Sequence, residues 1–209
     1  MKVSAVKAHS KNYPTCSPIL RWLGGAWLRL FGWRIEGSIP DAPKFVAIYA
    51  PHTSNWDGFL ILPAAFAVGI KFNFLAKKEL FVWPIGMLIS WIGGIPVDRH
   101  SRKDLVGQIV AAIEEREKVA IGVAPEGTRR YTEYWKTGFY HITQRAEVPL
   151  CFAYLDYERK VAGFDEGMLL SGDMDKDMEH IRGFYSKAKP KHPENFGQVA
   201  FKPKRRTKK

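Results

Sequence analysis

The sequence is poor in cysteine, with Cys16 and Cys151 as the two thiols among its 209 residues. So few thiols exclude a disulfide-framework miniprotein, and because the two form no CxxC pair, they exclude a cysteine-based metal cluster. The six histidines are scattered without metal-ligand spacing, so we expect no metal and no resident cofactor. A reducing, cytoplasmic compartment fits this cysteine usage best, with a single disulfide as the alternative.

Acidic residues are scarce at both ends of the chain. Residues 1–35 carry six basic side chains and no acidic one, and residues 187–209 carry nine basic side chains against Glu194 alone. The middle, 36–186, has a net charge of −3, although the whole chain has +11. Basic ends attract polyanions, which indicates either nucleic acid or an anionic membrane surface. A solvated tail without a partner is the third interpretation.

A short segment near the N-terminus favours the membrane surface. Residues 17–33 read SPILRWLGGAWLRLFGW, in which Ser17 and Pro18 are suited to the N-cap and first turn of a helix. Tryptophan and arginine on an apolar helix suit the headgroup region of a bilayer. The segment is too short and too charged to span a bilayer. A helix packed on its own domain is the alternative.

Long uncharged runs are limited to residues 80–97, which read LFVWPIGMLISWIGGIPV. Their length alone would suggest a marginal spanning helix. Pro84, the Gly93-Gly94 pair and Pro96 break the run, and they predict a short buried helix, a turn and a strand instead. We therefore expect no membrane span here and only a shallow, interfacial attachment of the protein.

Strands and helices alternate along the rest of the chain. This alternation predicts an α/β fold with a single-layer, mixed and mostly parallel sheet flanked by helices, preceded by the N-terminal amphipathic helix. The predicted strands are 44–50, 72–76, 94–98, 119–123, 150–155 and 160–162. The predicted helices are 57–69, 83–91, 101–117, 138–145 and 173–188.

A histidine and an aspartate follow the first predicted strand. His52 lies just past that strand, and Asp57 lies five residues later at the start of a helix. A turn of this length can bring the carboxylate to the imidazole, fix its tautomer and leave Nε2 free to take a proton from an alcohol. A loop histidine bonded to a nearby helix cap is an equally common arrangement.

Basic side chains follow other strands. Residues 124–130 read APEGTRR, in which a shaped turn, a hydroxyl and two arginines suit a phosphate. Arg99 ends the strand after Gly93, and Lys77 ends the strand that includes FNFLA. Taken alone, Arg99 is better explained as a surface arginine paired with Asp98, and Lys77 as a similar surface cation.

Taken together, these motifs resemble the glycerolipid acyltransferase family, which includes the 1-acylglycerol-3-phosphate acyltransferases. The resemblance spans residues 44–155. The matching blocks are His52 with Asp57, Gly93 through Arg99, Pro125 through Arg129, and Val148-Pro149-Leu150. The chain departs from the family pattern at Pro51, Ala124 and Pro96. These departures leave the catalytic pair intact, but they mean that the motifs do not decide which lipid is the acceptor.

The resemblance implies transfer of a fatty acyl group from acyl-CoA or acyl carrier protein to a lysophospholipid hydroxyl in phospholipid biosynthesis. The default acceptor is 1-acylglycerol-3-phosphate, and a non-phosphorylated lipid is the alternative. His52 would be the general base and Asp57 its orienting partner. The residues expected to hold the acceptor are Lys77, Arg99, Glu126, Gly127, Thr128 and Arg129. A phosphate is bound by cations and not by a carboxylate. Glu126 is therefore expected to order the loop or to accept a hydrogen bond from a hydroxyl.

The expected organisation follows from these motifs. The chain divides into an amphipathic membrane-interface segment (1–34), an acyltransferase domain (35–189) and a basic C-terminal tail (190–209). Because no GxSxG motif occurs and neither cysteine adjoins the motifs, direct attack by the alcohol is favoured over an acyl-enzyme. The expected partners are an anionic membrane surface, the thioester donor and a lysophospholipid, with the protein cytoplasmic and peripheral to the membrane. A nucleic-acid-binding protein is the rival, but the near-neutral middle and the lack of an RNP1 signature argue against it.

Overall fold

The computed structural model describes residues 12–98 and 105–203. Within them the chain forms one seven-stranded sheet, six α-helices and two 3-10 helices. The strands are β1 (Arg34–Gly37), β2 (Lys44–Tyr49), β3 (Phe72–Lys77), β4 (Gly94–Val97), β5 (Val119–Val123), β6 (Leu150–Asp156) and β7 (Val161–Met168). The α-helices are α1 (Pro18–Leu30), α2 (Trp56–Val68), α3 (Ile85–Trp91), α4 (Leu105–Glu114), α5 (Gly138–Arg145) and α6 (Met174–Tyr185). The 3-10 helices are Lys78–Leu80 and Pro193–Asn195.

The sheet confirms the predicted fold class. Its strand order is β1-β7-β6-β2-β5-β3-β4, and each neighbouring pair is parallel except β6 with β7. Parallel strands are covered on both faces, which explains why β2 and β5 are almost continuously apolar. The sequence pattern does not predict β1, because in RIEG the one buried side chain is Ile35.

Helices cover both faces of the sheet and form two hydrophobic cores. Along β2, Phe45 and Ala47 face the core beneath α1 and α2, whereas Val46 and Ile48 face the core beneath α4, α5 and α6. This alternation follows from the two-residue period of a strand. Both sets are buried, so β2 lies at the centre of the molecule and fixes the start of the loop that follows it.

One edge of the sheet collects the loops that matter for function. Because β2, β3, β4, β5 and β6 are parallel, their C-terminal ends lie at the same side, which we call the carboxyl edge. The segments that leave this edge are residues 50–55, 78–93, 124–137 and 157–160. Side chains distant in sequence therefore meet at this edge.

Helix α1 packs closely against α2. Leu20, Gly24 and Leu28 of α1 are buried. A Cβ atom on Gly24 would lie 2.4 Å from the carbonyl oxygen of Pro63 in α2, so only glycine allows the two backbones to approach so closely. The Ser17 side chain accepts a hydrogen bond from the amide of Leu20, as expected of an N-cap. The alternative of packing on its own domain therefore holds for one face of α1.

Helix α3 differs from the prediction of a buried helix. Within α3 the one buried residue is Gly86, and a Cβ there would meet the backbone of Phe81. The apolar side chains of this region point into solvent, and Trp83 is 82% exposed. The others are Leu80, Val82, Ile85, Met87, Leu88 and Trp91. The prolines and glycines do end the helix early, but nothing in residues 12–98 and 105–203 covers it.

The C-terminal residues that the structure describes lie against the body. The amide of Trp135 donates to the carbonyl of Ala200, and the amide of Gln198 donates to the carbonyl of Glu133. Both cysteines are free thiols. Among the helices of the described residues, none combines the length and apolar content needed to cross a bilayer.

Candidate active site

His52 and Asp57 form a hydrogen-bonded pair at the carboxyl edge. Strand β2 ends at Tyr49, the Ala50–Pro51 peptide bond is cis, and α2 begins at Trp56. This short connection returns the chain so that His52 Nδ1 lies 3.1 Å from Asp57 Oδ2. The pairing is the one that the spacing of the two residues predicts.

The Asp57 carboxylate is fully buried and is held from several directions. Its Oδ2 accepts hydrogen bonds from the amides of Thr53 and Ser54, each at 2.8 Å, and its Oδ1 accepts from the Tyr157 hydroxyl at 2.6 Å. It also lies in the first turn of α2, where the helix dipole favours negative charge. A buried carboxylate persists only when it is paired in this way.

The hydrogen bond fixes the state of the imidazole. An ionised carboxylate only accepts hydrogen bonds, so in the neutral imidazole of His52 Nδ1 carries the hydrogen and Nε2 keeps its lone pair. The His52 side chain is 14% exposed, so it is mostly covered yet reachable. The ring of Tyr49 packs edge-on against the imidazole, with 5.0 Å between centroids. The pair is thus arranged to accept a proton from a group that approaches Nε2.

Glu126 joins the two loops of the site. Its Oε1 accepts a hydrogen bond from the backbone amide of His52 at 3.0 Å. The side chain is 2% exposed, and no hydrogen-bond partner is seen for Oε2 within the described residues. Burial raises the pKa of Glu126 to about 7, against the lowering effect of the amides of Glu126 and His52. Glu126 therefore orders the loop that carries His52.

The turn after Glu126 presents polar groups at the same edge. Gly127 has a φ of +64°, and a Cβ there would lie 2.8 Å from the ammonium nitrogen of Lys136. The positive φ favours glycine at this position, whereas the flexible end of the Lys136 side chain could move aside. Thr128 Oγ1 accepts from the amide of Arg130 at 3.2 Å. Arg129 is exposed. Burial, and then the charges of Glu126 and Asp57, raise the pKa of Tyr49, and the charge of Arg129 opposes this rise. Cations thus surround the turn.

Of the two other cations predicted to bind the acceptor, the structure describes one. Lys77 is exposed at the end of β3, at the carboxyl edge. Arg99 lies outside the described residues. The hydrogen-bonded set is therefore His52, Asp57 and Glu126, and Lys77, Gly127, Thr128 and Arg129 share the edge with it. In residues 12–98 and 105–203, no group of three or more His, Cys, Asp or Glu side chains is placed to hold a metal ion.

Two residues at the site were not found by the sequence motifs. Tyr157 contacts Asp57 from the β6–β7 turn, one hundred residues along the chain. No local pattern marks it; the available signal is its position just after a strand parallel to β2. Lys136 lies against Gly127, and a search for cations downstream of the arginine turn would have included it.

Exposed apolar side chains flank the pair. Trp56 and Phe59 at the start of α2 are exposed, and Phe31 at the end of α1 lies 6.2 Å from Trp56, between ring centroids. A second exposed apolar segment, residues 80–91, follows β3 from the same edge of the sheet. Large apolar surfaces of this kind mark an interaction site. Exposed apolar side chains therefore occur at the edge that carries the candidate active site.

Comparison with known sequences identifies relatives. A family model described as Acyltransferase matches residues 34–154. The 1-acyl-sn-glycerol-3-phosphate acyltransferase of Saccharomyces cerevisiae (strain ATCC 204508 / S288c) is 30% identical over 125 residues, which are 56% of this chain and 40% of that protein. The chain thus spans well under two thirds of the length of this curated relative.

A solved structure has a similar fold. The crystal structure of the 1-acyl-sn-glycerophosphate (LPA) acyltransferase PlsC from Thermotoga maritima matches with a TM-score of 0.56 and 14% identity. The match covers 82% of this chain and 80% of that one. At this identity the likeness concerns the fold, which is the α/β architecture described above.

Proposed function

The chain belongs to the acyltransferase family, and on this premise we propose that it transfers a fatty acyl group to the hydroxyl of a lysophospholipid. The proposed donor is a thioester, acyl-CoA or acyl carrier protein, and the proposed acceptor is 1-acylglycerol-3-phosphate. Both named relatives are described as acyltransferases for this acceptor. The reaction would be a step of phospholipid biosynthesis.

One observation carries the proposal: the His52–Asp57 pair lies beside an arginine-bearing turn. The carboxylate is buried and fixed, the imidazole is oriented by it, and Glu126 ties the loop of His52 to the turn that ends in Arg129. A base and a cationic turn at one sheet edge are what an alcohol with a neighbouring phosphate requires.

The chemistry follows from the orientation of the imidazole. Nε2 of His52 would take the proton of the acceptor hydroxyl as its oxygen attacks the thioester carbonyl. The tetrahedral intermediate would then collapse, breaking the carbon–sulfur bond, and the imidazolium would return the proton to the thiolate. Asp57 would keep Nδ1 protonated throughout and stabilise the transient imidazolium.

The cations at the carboxyl edge indicate where the phosphate of the acceptor binds. A phosphate carries negative charge at neutral pH and is bound by forked guanidinium groups and ammonium groups. Arg129, Lys77 and Lys136 are among the cations at or beside the carboxyl edge. We therefore assign the phosphate to the surface beside His52 that carries these cations. Arg99 is a further candidate, outside the described residues.

The exposed apolar elements support a membrane-peripheral site. The acceptor is an amphiphile that resides in bilayers. Exposed apolar side chains lie at the start of α2, next to Asp57, and in residues 80–91, which follow β3 from the edge of the catalytic pair. Tryptophan and lysine at such a rim suit the headgroup region. The proposal thus places the carboxyl edge against an anionic membrane surface, with the donor arriving from the aqueous side.

The direct test is an acyl-transfer assay with the full chain. Purified protein is incubated with palmitoyl-CoA, or with an acyl carrier protein thioester, and a panel of lysolipids with and without a phosphate. Free thiol and product mass are followed. We expect acceptor-dependent thiol release that is greatest with 1-acylglycerol-3-phosphate. Comparable transfer to monoacylglycerol would instead assign a non-phosphorylated acceptor.

A pair of histidine variants tests the base. His52→Ala is expected to lower kcat by about 10²–10⁴-fold, the usual contribution of a positioned general base. His141→Ala removes an exposed histidine of α5, away from the site, and should retain wild-type turnover. Full turnover by a folded His52→Ala protein would rule out the assignment, and salt-sensitive DNA binding without lipid binding would favour the nucleic-acid rival.

A further inference from the structure

The hydroxyl of Tyr157 has no role in the family motifs, yet it contacts the catalytic pair. It donates a 2.6 Å hydrogen bond to Oδ1 of Asp57, the carboxylate oxygen that does not face His52. Tyr157 lies in the β6–β7 turn, beyond residue 154 where the family match ends. Neither the sequence motifs nor the comparisons assign it a function.

The structure holds this tyrosine firmly in place. Its ring packs edge-on against buried Trp33, with 5.1 Å between centroids and 87° between planes. Its amide donates to the carbonyl of Lys189 at 2.9 Å. Burial and then the hydrogen bond to Asp57 raise the pKa of Tyr157 above its ordinary range. The phenol is therefore a permanent donor that cannot easily turn away from the carboxylate.

The Asp57 carboxylate needs a constraint on each of its oxygens. Oδ2 accepts the amides of Thr53 and Ser54 and the Nδ1 hydrogen of His52. The terminal torsion of an aspartate is broad, so bonds to one oxygen leave the other free to rotate out of plane. The hydrogen bond from the Tyr157 hydroxyl restricts this rotation, and it also draws negative charge toward Oδ1.

We propose that Tyr157 is a positioning residue whose hydroxyl orients the Asp57 carboxylate and so sets the basicity of His52. The inference rests on the proposed function, in which His52 acts as the base. Without the hydroxyl, the carboxylate charge is less dispersed, and it holds a protonated imidazole more strongly. The protonated form of His52 then persists to higher pH, and the neutral base is scarcer at neutral pH.

The test compares Tyr157→Phe with a matched variant, Tyr154→Phe. Both variants keep the aromatic ring and delete one hydroxyl that donates to a carboxylate, Asp57 for Tyr157 and Glu36 for Tyr154. Besides Asp57, the titratable groups among the described residues that face His52 are Glu126 and Tyr49, and both variants keep them. The ratio kcat/KM is measured from pH 5 to 9. For Tyr157→Phe we expect the midpoint of the acidic limb to rise by about 0.5–1 pH unit, and kcat to fall about tenfold as the base loses alignment. Tyr154→Phe is expected to keep the wild-type midpoint.

A second measurement does not depend on turnover. The ring signals of ¹³C-labelled histidine are titrated by NMR, with His52 assigned by the signal that His52→Ala loses. The His52 midpoint should rise in Tyr157→Phe and stay in place in Tyr154→Phe. Unchanged His52 midpoints in Tyr157→Phe, or equal shifts in both variants, would overturn the inference. An inactive wild-type protein would overturn the proposed function alone, because the titration still reports the Tyr157–Asp57–His52 coupling.

Discussion

Glu126 is a carboxyl group whose burial makes the stability of the protein depend on pH. Its pKa is raised from 4.5 to about 7, chiefly because burial penalises the charged form. Between these two values the folded state keeps a proton that the unfolded state has already lost. The free energy of unfolding therefore falls as the pH rises through this window, and the loss persists above it.

Glu126→Gln should remove this pH dependence. The amide is neutral at every pH, and its oxygen can still accept from the amide of His52. Relative to this variant, the wild-type free energy of unfolding is expected to decrease by up to about 3 kcal/mol between pH 4.5 and 7. Urea unfolding at several pH values measures the difference. Glu117→Gln, at an exposed site, is the control and should track the wild type, and a flat difference for Glu126→Gln would contradict the prediction.

At the residue scale, the sequence predicts contacts between neighbours better than contacts across the fold. The His52–Asp57 pair depends on a five-residue turn, so the spacing made it a candidate and the resemblance of the other motifs to the acyltransferase family favoured it. The bond from the His52 amide to Glu126 crosses 74 positions, and the bond from Tyr157 to Asp57 crosses 100. Such contacts depend on strand order, which no local pattern in this sequence specifies. The roles of the expected substrate residues stay predictions.

At the element scale, the packing of α1 on α2 depends on which glycine faces the partner helix. Gly24 is buried against the backbone of Pro63, whereas a Cβ on Gly25 would meet nothing within 4 Å. Sequence alone indicates a helix weakened at its centre by two glycines. The structure separates the two: Gly24 permits the close approach, and Gly25 only costs helix stability.

Alanine at these two positions should have opposite effects. Gly24→Ala forces a methyl group to 2.4 Å from the Pro63 oxygen and is expected to cost about 1–3 kcal/mol. Gly25→Ala should stabilise by up to about 1 kcal/mol, because alanine is the better helix former. For a chain of this size each kcal/mol moves Tm by about 2–4 °C. Thermal unfolding followed by circular dichroism checks both signs, and equal shifts in the two variants would argue against close α1–α2 contact.

Elements with a strong apolar period were predicted well, and elements defined by their partners were not. Strands β2 and β5 are apolar on both faces, so their position in a parallel sheet follows from composition. Strand β7 extends to Met168, well beyond the predicted 160–162, because pairing with β6 supports its polar second half. The apolar sequence of α3 predicts burial, but an apolar segment is buried only if another element covers it.

At the scale of the whole molecule, apolar surface and catalytic edge coincide. The apolar residues 80–91 follow β3 from the edge where His52 lies, and the exposed Trp56 and Phe59 at the start of α2 lie at the same edge, next to Phe31 at the end of α1. The chain also carries its excess positive charge in residues 1–35 and 187–209. Apolar contact and attraction to anionic lipid would together orient the site toward a bilayer.

Deleting residues 1–34 is an ambiguous test of this orientation. The deletion would remove buried Leu20 and Leu28 of α1 together with the exposed Ile19 and Trp22. Loss of vesicle binding could then reflect loss of the fold. Single substitutions at exposed positions keep the cores intact, so they separate membrane contact from stability.

Leu88→Asp and Leu169→Asp form a matched pair for this purpose. Leu88 is 58% exposed in α3, on the apolar segment that follows β3 from the catalytic edge. Leu169 is 70% exposed directly after Met168, which pairs with the first residue of β6 at the opposite edge. Inserting a leucine into an apolar phase is worth about 1.5–3 kcal/mol. Leu88→Asp should therefore lower co-sedimentation with anionic phosphatidylglycerol vesicles about tenfold or more, whereas Leu169→Asp should bind as the wild type does. If both variants bound equally, the carboxyl edge would not face the membrane, and a lysolipid would have to leave the bilayer to reach His52.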